Sequence, residues 1–219
     1  MIINNAGFRK LERMDLSLYV ITDEKLLEGK DIYSCIEQAI SGGATVIQYR
    51  AKNKSSKKMY EEAVVIKKVC RKYDIPFIVN DRIDIAIAVD ADGVHLGQDD
   101  LDVEVARRIL GFEKIIGLST KKIEDVIKAN SLPVDYIGFG SVFPTSTKED
   151  AVYAGLEKLK EVMKISVQPV VAIGGINEKN LTDLLKTGCR NVAVVSAVFK
   201  DDNIKENTER LKNIMENFT

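Results

Sequence analysis

Eight short runs rich in β-branched residues recur along this chain, and each is followed by a stretch with helical spacing. No other feature narrows the possible folds so far. The strand candidates are Leu18 to Thr22, Thr45 to Arg50, Phe77 to Asn80, Gly93 to Leu96, Ile115 to Leu118, Tyr136 to Ser141, Val170 to Ile173 and Val192 to Ser196. The helical candidates are Ile32 to Ile40, Ser56 to Tyr73, Ile83 to Val89, Val103 to Leu110, Ile123 to Ala129, Ala154 to Met163, Glu178 to Lys186 and Ile204 to Phe218. Within Ser56 to Tyr73, Met59, Ala63, Ile66 and Val69 recur at spacings of three or four, which places them on one side of a helix.

Eight strand and helix pairs in 219 residues are the arithmetic of a single α/β (β/α)8 TIM barrel. An open doubly wound sheet shares the alternation, but it carries a glycine-rich G-x-G-x-x-G after its first strand. Here the first strand runs into Ile21-Thr22-Asp23-Glu24, which has no glycine. No linker-like or low-complexity segment divides the chain, so residues 1–15 read as a loose N-terminal extension and 16–219 as one barrel domain.

Lys+Arg 32 against Asp+Glu 33 leaves a net charge of −1, which supplies no basic field for nucleic acid or an anionic membrane. The expected partners are small molecules, and self-association is left open. No apolar run has the length of a membrane span, and the opening MIINNAGFRKLERMD has no signal-peptide core, so a cytoplasmic location is expected. Cys35, Cys70 and Cys189 are odd in number and form no C-x-x-C pair. They read as buried apolar residues, not as a disulfide framework or zinc site.

Barrel active sites form from the C-terminal ends of the strands and the loops beyond them, so polar residues there carry the functional signal. In Gln48-Tyr49-Arg50-Ala51-Lys52 the side-chain period of two sets Gln48, Arg50 and Lys52 on one face and Tyr49 and Ala51 on the other. Asn80-Asp81 ends the third strand, and His95 to Asp100 ends the fourth. Asp81 reads either as a helix cap or, paired with Asp100, as a magnesium site, since a hard cation takes one or two carboxylates plus water and phosphate oxygens. His95, the single histidine, reads as a hydrogen-bonded interior group and not as a base. Thr145, Ser146, Thr147 and Lys148 follow the sixth strand and offer donors to an oxyanion. Gly174-Gly175 closes the seventh strand and Val195-Ser196 the eighth, where barrels commonly bind phosphate through backbone N–H groups. The set shows no nucleophile with an adjacent base, which argues against acyl transfer and suits stabilisation of a departing diphosphate.

Taken together, Q-Y-R-x-K, N-D, H-L-G-Q-x-D, G-x-S, P-T-x-T-K, I-G-G-I and V-S-A, from Gln48 to Ala197, resemble the thiamine-phosphate synthase family in order and spacing. The resemblance implies a transferase of thiamine biosynthesis, in which hydroxymethylpyrimidine diphosphate loses diphosphate to the ring nitrogen of a thiazole phosphate. It implies that Gln48, Tyr49, Arg50, Ala51, Lys52, Asn80, Ser119 and Lys148 hold the pyrimidine diphosphate, with Arg50, Lys52, Lys148 and Ser119 as the catalytic set. Asp81 and Asp100 would hold Mg2+. Thr145, Ser146, Thr147, Gly175, Val195 and Ser196 would hold the thiazole phosphate. Related thiazole tautomerases carry a histidine two residues after the serine of G-x-S, where this chain has Lys121. Many synthases also have histidine there, so Lys121 departs from the common pattern of both branches, but the loss removes the tautomerase's chemistry and spares the synthase's. A non-catalytic phosphate-binding barrel is the third reading, and Asp81, Asp100 and Lys148 speak against it.

Overall fold

The computed structural model describes residues 14–145 and 153–218. All eight β-branched runs are strands, and they close into one parallel barrel in chain order. The strands are β1 (Leu18–Ile21), β2 (Val46–Tyr49), β3 (Phe77–Asn80), β4 (Gly93–Leu96), β5 (Ile115–Thr120), β6 (Tyr136–Phe139), β7 (Val170–Ile173) and β8 (Val192–Val194), with β8 pairing back onto β1. The described helices are α1 (Ile32–Ser41), α2 (Ser56–Lys72), α3 (Ile83–Ala88), α4 (Val103–Leu110), α5 (Ile123–Ala129), α6 (Gly155–Ile165), α7 (Leu181–Leu185), α8 (Ser196–Phe199) and α9 (Ile204–Glu216). None is long and apolar enough to cross a membrane.

Helices α1 and α2 start where a side chain satisfies their first N–H groups. Asp31 accepts from the N–H groups of Tyr33 and Ser34 ahead of α1, and Ser55 accepts from Lys58 ahead of α2. The α2 stripe of Met59, Ala63, Ile66 and Val69 is buried against the barrel, as its spacing requires. Strand residues alternate between two cores. Ile47, Tyr49, Phe77 and Val79 face the helices, whereas Tyr19, Val46, Ile78, Tyr136 and Val171 fill the barrel interior. Cys35, Cys70 and Cys189 are free and buried.

Five strand ends differ from the sequence reading: β1 stops at Ile21 and β2 at Tyr49, one residue early, and β5 runs on to Thr120. β6 stops at Phe139, not Ser141, and β8 stops at Val194, after which Ser196–Phe199 is a single helical turn. Four residues are too few for a helical period to show in the sequence.

The end of the barrel remote from the strand C-termini is tied together by Arg107. This guanidinium is buried, donates to the carbonyls of Pro133, Gly111 and Lys114, and pairs with Asp135 at 2.7 Å. Removing one partner of a buried pair leaves the other charge uncompensated. Arg107→Leu is therefore expected to lower unfolding free energy by about 3 kcal/mol while leaving kinetic constants intact. Urea denaturation beside an activity assay checks this, and an activity loss without a stability loss contradicts it.

Candidate active site

At the C-terminal ends of the strands lies a cavity of about 150 Å³. The alternation that buries Ile47 and Tyr49 outside the barrel turns Gln48 and Arg50 inward, and the same parity presents Asn80, His95 and Ser119 from β3, β4 and β5. Thr145, Gly175, Val195 and Ser196 complete the rim from the loops after β6, β7 and β8. Eight of the expected site residues, Gln48, Arg50, Asn80, Ser119, Thr145, Gly175, Val195 and Ser196, thus line one cavity. Ser146, Thr147 and Lys148 lie outside the described residues.

Tyr49 and Ala51 are not brought into it. Their side chains sit in the layer between barrel and helices, where Tyr49 Oη donates to Glu62 Oε2 at 2.8 Å and Lys54 pairs with the same carboxylate at 2.7 Å. Burial, and then the neighbouring Glu62 carboxylate, push the Tyr49 phenol well above its ordinary pKa. Strand parity turns these two side chains away from the cavity, and they pack β2 behind Arg50. Arg50 itself has Asp23 Oδ2 at 3.8 Å.

Lys52, Asp81 and Asp100 are not among the residues lining the cavity; Lys52 is half exposed and forms an ion pair with Asp81 Oδ2. Asp81 adopts φ 62°, a left-handed conformation that Asp tolerates better than most residues. Its carboxylate adjoins that of Asp100, whose Oδ2 accepts the Gly97 N–H at 2.7 Å. Burial, and then the adjacent Asp81 carboxylate, raise the Asp100 carboxyl above the usual carboxylate range. Neither aspartate caps a helix. The position before α3 is Arg82, without a side-chain cap, and α4 is capped by Asp102, whose carboxylate accepts from Glu104 N–H at 2.9 Å. The capping reading of Asp81 is therefore set aside. Among the described residues no cluster of three or more His, Cys, Asp or Glu side chains is arranged around a metal position. What is present is a pair of close, hard carboxylates with a lysine ammonium on one of them. Such a pair fits a cation that completes its shell with water and phosphate oxygens.

Residues 18–198 match the family described as thiamine monophosphate synthase. The chain belongs to that family. It is 47% identical over 199 residues to thiamine-phosphate synthase 1 of Aquifex aeolicus, covering 91% of this chain and 93% of that one. It is 45% identical over 200 residues to the thiamine-phosphate synthase of Clostridium tetani, covering 91% and 96%. Among solved structures, the thiamine phosphate pyrophosphorylase from Pyrococcus furiosus superposes with a TM-score of 0.86 at 44% identity, over 94% of this chain and 98% of that one.

Several cavity residues of this family member escaped the sequence reading. Tyr19 and Tyr136 line the cavity with their hydroxyls 2.8 Å apart, and Lys121, read in the sequence only as a departure from the tautomerase pattern, lines it as well. The parity of Tyr19 with Ile21 on β1 was the available signal, but an aromatic residue at a strand position reads first as core. The structure also corrects one inference: Ser119 does have a neighbouring imidazole, with His95 Nε2 at 2.9 Å from its Oγ. The group on His95 Nδ1 is the Tyr136 phenol at 3.0 Å, not a carboxylate as in a Ser-His-Asp device.

Proposed function

We propose that this chain joins hydroxymethylpyrimidine diphosphate to thiazole phosphate, releasing diphosphate and forming thiamine phosphate. The observation that carries the reading is a single cavity that gathers amides, a hydroxyl and a guanidinium on one side and the Gly175 and Ser196 loops on the other, in a chain similar over nearly its whole length to thiamine-phosphate synthases. Gln48 and Asn80 are assigned to the pyrimidine, and Arg50, Lys52 and Lys148 to its diphosphate. Thr145, Ser146, Thr147, Gly175, Val195 and Ser196 are assigned to the thiazole phosphate.

Asp81 and Asp100 would hold Mg2+, which would supply positive charge beside the departing diphosphate. The fit rests on the two adjoining carboxylates, since a divalent cation offsets both the burial and the neighbouring negative charge that disfavour ionised Asp100. Arg50 donates from a fixed fork that matches phosphate oxygens. Ser119 adds a hydroxyl near the reacting centre. Val171, Ile173 and Ala193 give the cavity an apolar side that excludes water from the exposed methylene carbon. The attacking nitrogen belongs to the thiazole, so no protein base is needed, and alignment of the two substrates is the main catalytic demand.

Incubation with both substrates and Mg2+ is expected to release diphosphate in step with thiamine phosphate, and a chelator to stop both. Omitting either substrate should abolish release. Isomerisation of the thiazole phosphate alone, without diphosphate release in the complete mixture, would overturn the reading in favour of a tautomerase.

A further inference from the structure

Five polar side chains, one each from β2, β1, β6, β4 and β5, form an unbroken hydrogen-bond chain across the barrel under the cavity. Gln48 Nε2 donates to Tyr19 Oη at 2.8 Å, and Tyr19 Oη lies 2.8 Å from Tyr136 Oη. Tyr136 Oη is 3.0 Å from His95 Nδ1, and His95 Nε2 is 2.9 Å from Ser119 Oγ. Gly117 lets the chain pass, since a Cβ there would stand 2.5 Å from His95 Nδ1 and inside the Tyr136 ring edge. Gln48, Tyr19, Tyr136 and His95 are all buried.

Counting hydrogens gives this chain a direction. The Gln48 carboxamide nitrogen can only donate, so the Tyr19 oxygen accepts from it, and of the two senses open to the Tyr19–Tyr136 pair only Tyr19 as donor gives the buried Tyr19 hydrogen an acceptor within this chain. Tyr136, having accepted, sends its own hydrogen to His95 Nδ1. A neutral imidazole has one N–H, which must then sit on Nε2 and point at Ser119 Oγ. Burial keeps both phenols protonated by raising their pKa values well above the ordinary range.

We propose that Tyr136 and His95 are positioning residues, their direction set by Gln48 and Tyr19, that oblige Ser119 Oγ to accept from His95 and so to turn its own hydrogen toward the substrate. The identity of that substrate rests on the function proposed above. An Nε2 that already carries hydrogen cannot take the Ser119 proton, so the serine acts as a fixed donor to an oxygen gaining negative charge and not as a nucleophile. At the other end the Gln48 carboxamide oxygen is left to accept from the ligand. A bound molecule therefore meets an acceptor and a donor whose roles are set together.

The chain contains a single histidine, so long-range 1H–15N correlation spectra of the unliganded protein report one imidazole. Nδ1 is expected unprotonated and Nε2 protonated. In Tyr136→Phe the Nδ1 resonance should move to that of a nitrogen without a donor, and kcat should fall about tenfold, the size of one misdirected hydrogen bond, with little change in KM. Because Tyr136 acts through Ser119, the Tyr136→Phe, Ser119→Ala double variant should be no slower than Ser119→Ala alone. A hydrogen on Nδ1 in the parent protein, or additive losses in the double variant, overturns the proposal. If the parent protein proves not to release diphosphate, the function proposed above fails, and the tautomer measurement still decides the chain's direction.

Discussion

Asp81→Asn and Asp100→Asn should each lower turnover by roughly a hundredfold, the loss typical of removing one electrostatic stabiliser from a charge-separating step. Each replacement keeps the side chain's size and removes one negative charge from the proposed Mg2+ position, so excess Mg2+ should restore part of the rate. In Asp100→Asn the carboxamide oxygen can still accept the Gly97 N–H, so the local turn survives. Stability should move the other way. The Asp100 carboxyl is raised in the folded protein, so the folded state holds more protons than the unfolded chain between the two pKa values. Stability is therefore lost as pH rises through that window, and above it the metal-free protein carries the penalty. Asp100→Asn removes it, and the metal-free variant should melt no lower than the parent. Titration of Mg2+ with diphosphate, turnover and thermal melts together test the assignment. Parent-like metal binding and parent-like turnover in both variants would remove the pair from the site.

The parts of the site legible in the sequence are those where local pattern alone fixes geometry. Period two along Gln48-Tyr49-Arg50 is a property of any strand, and once the barrel is recognised it commits Gln48 and Arg50 to the interior. The same rule turns the side chains of Tyr49 and Ala51, which the family resemblance includes as site residues, away from the cavity. Short-range pattern does not carry pairing between strands. Nothing near Tyr19 in the chain indicates that its hydroxyl meets Tyr136, 117 residues later, because that contact depends on the relative register of β1 and β6. The meeting of His95 with Ser119 is of the same kind. Asp81 is ambiguous in the sequence for a different reason. An aspartate just before a helix matches the cap preference, and only its left-handed backbone and its contacts with Lys52 and Asp100 show that it is turned elsewhere.

Gly175→Val should raise the KM for the thiazole phosphate by roughly a hundredfold, the scale expected when site groups are misplaced by about 1 Å. The cause lies in the backbone more than in a direct collision with phosphate. Gly175 has φ +66°, where a β-branched residue is a genuine outlier, and a Cβ there would stand 2.9 Å from Phe143 Cβ and from the Phe143 carbonyl oxygen, and closer still to that of Pro144. The peptide cannot swing aside easily, because Asn177 and Asn180 each donate a side-chain N–H to the Gly175 carbonyl at 2.9 Å. The Phe143 and Pro144 backbone must therefore give way, and Thr145, which lines the cavity, moves with it. Forcing a non-glycine residue into this conformation costs about 1–2 kcal/mol, and melting should fall by about 5 °C in a chain of this size. Gly175→Ala should show the same pattern more weakly. The KM for the pyrimidine diphosphate should change far less, since Gln48, Arg50 and Asn80 stand on β2 and β3 across the cavity. A lower melting temperature with unchanged thiazole saturation would mean that the loop after β6 serves folding alone. A raised thiazole KM at an unchanged melting temperature would mean that the side chain meets the ligand directly and the backbone has absorbed it.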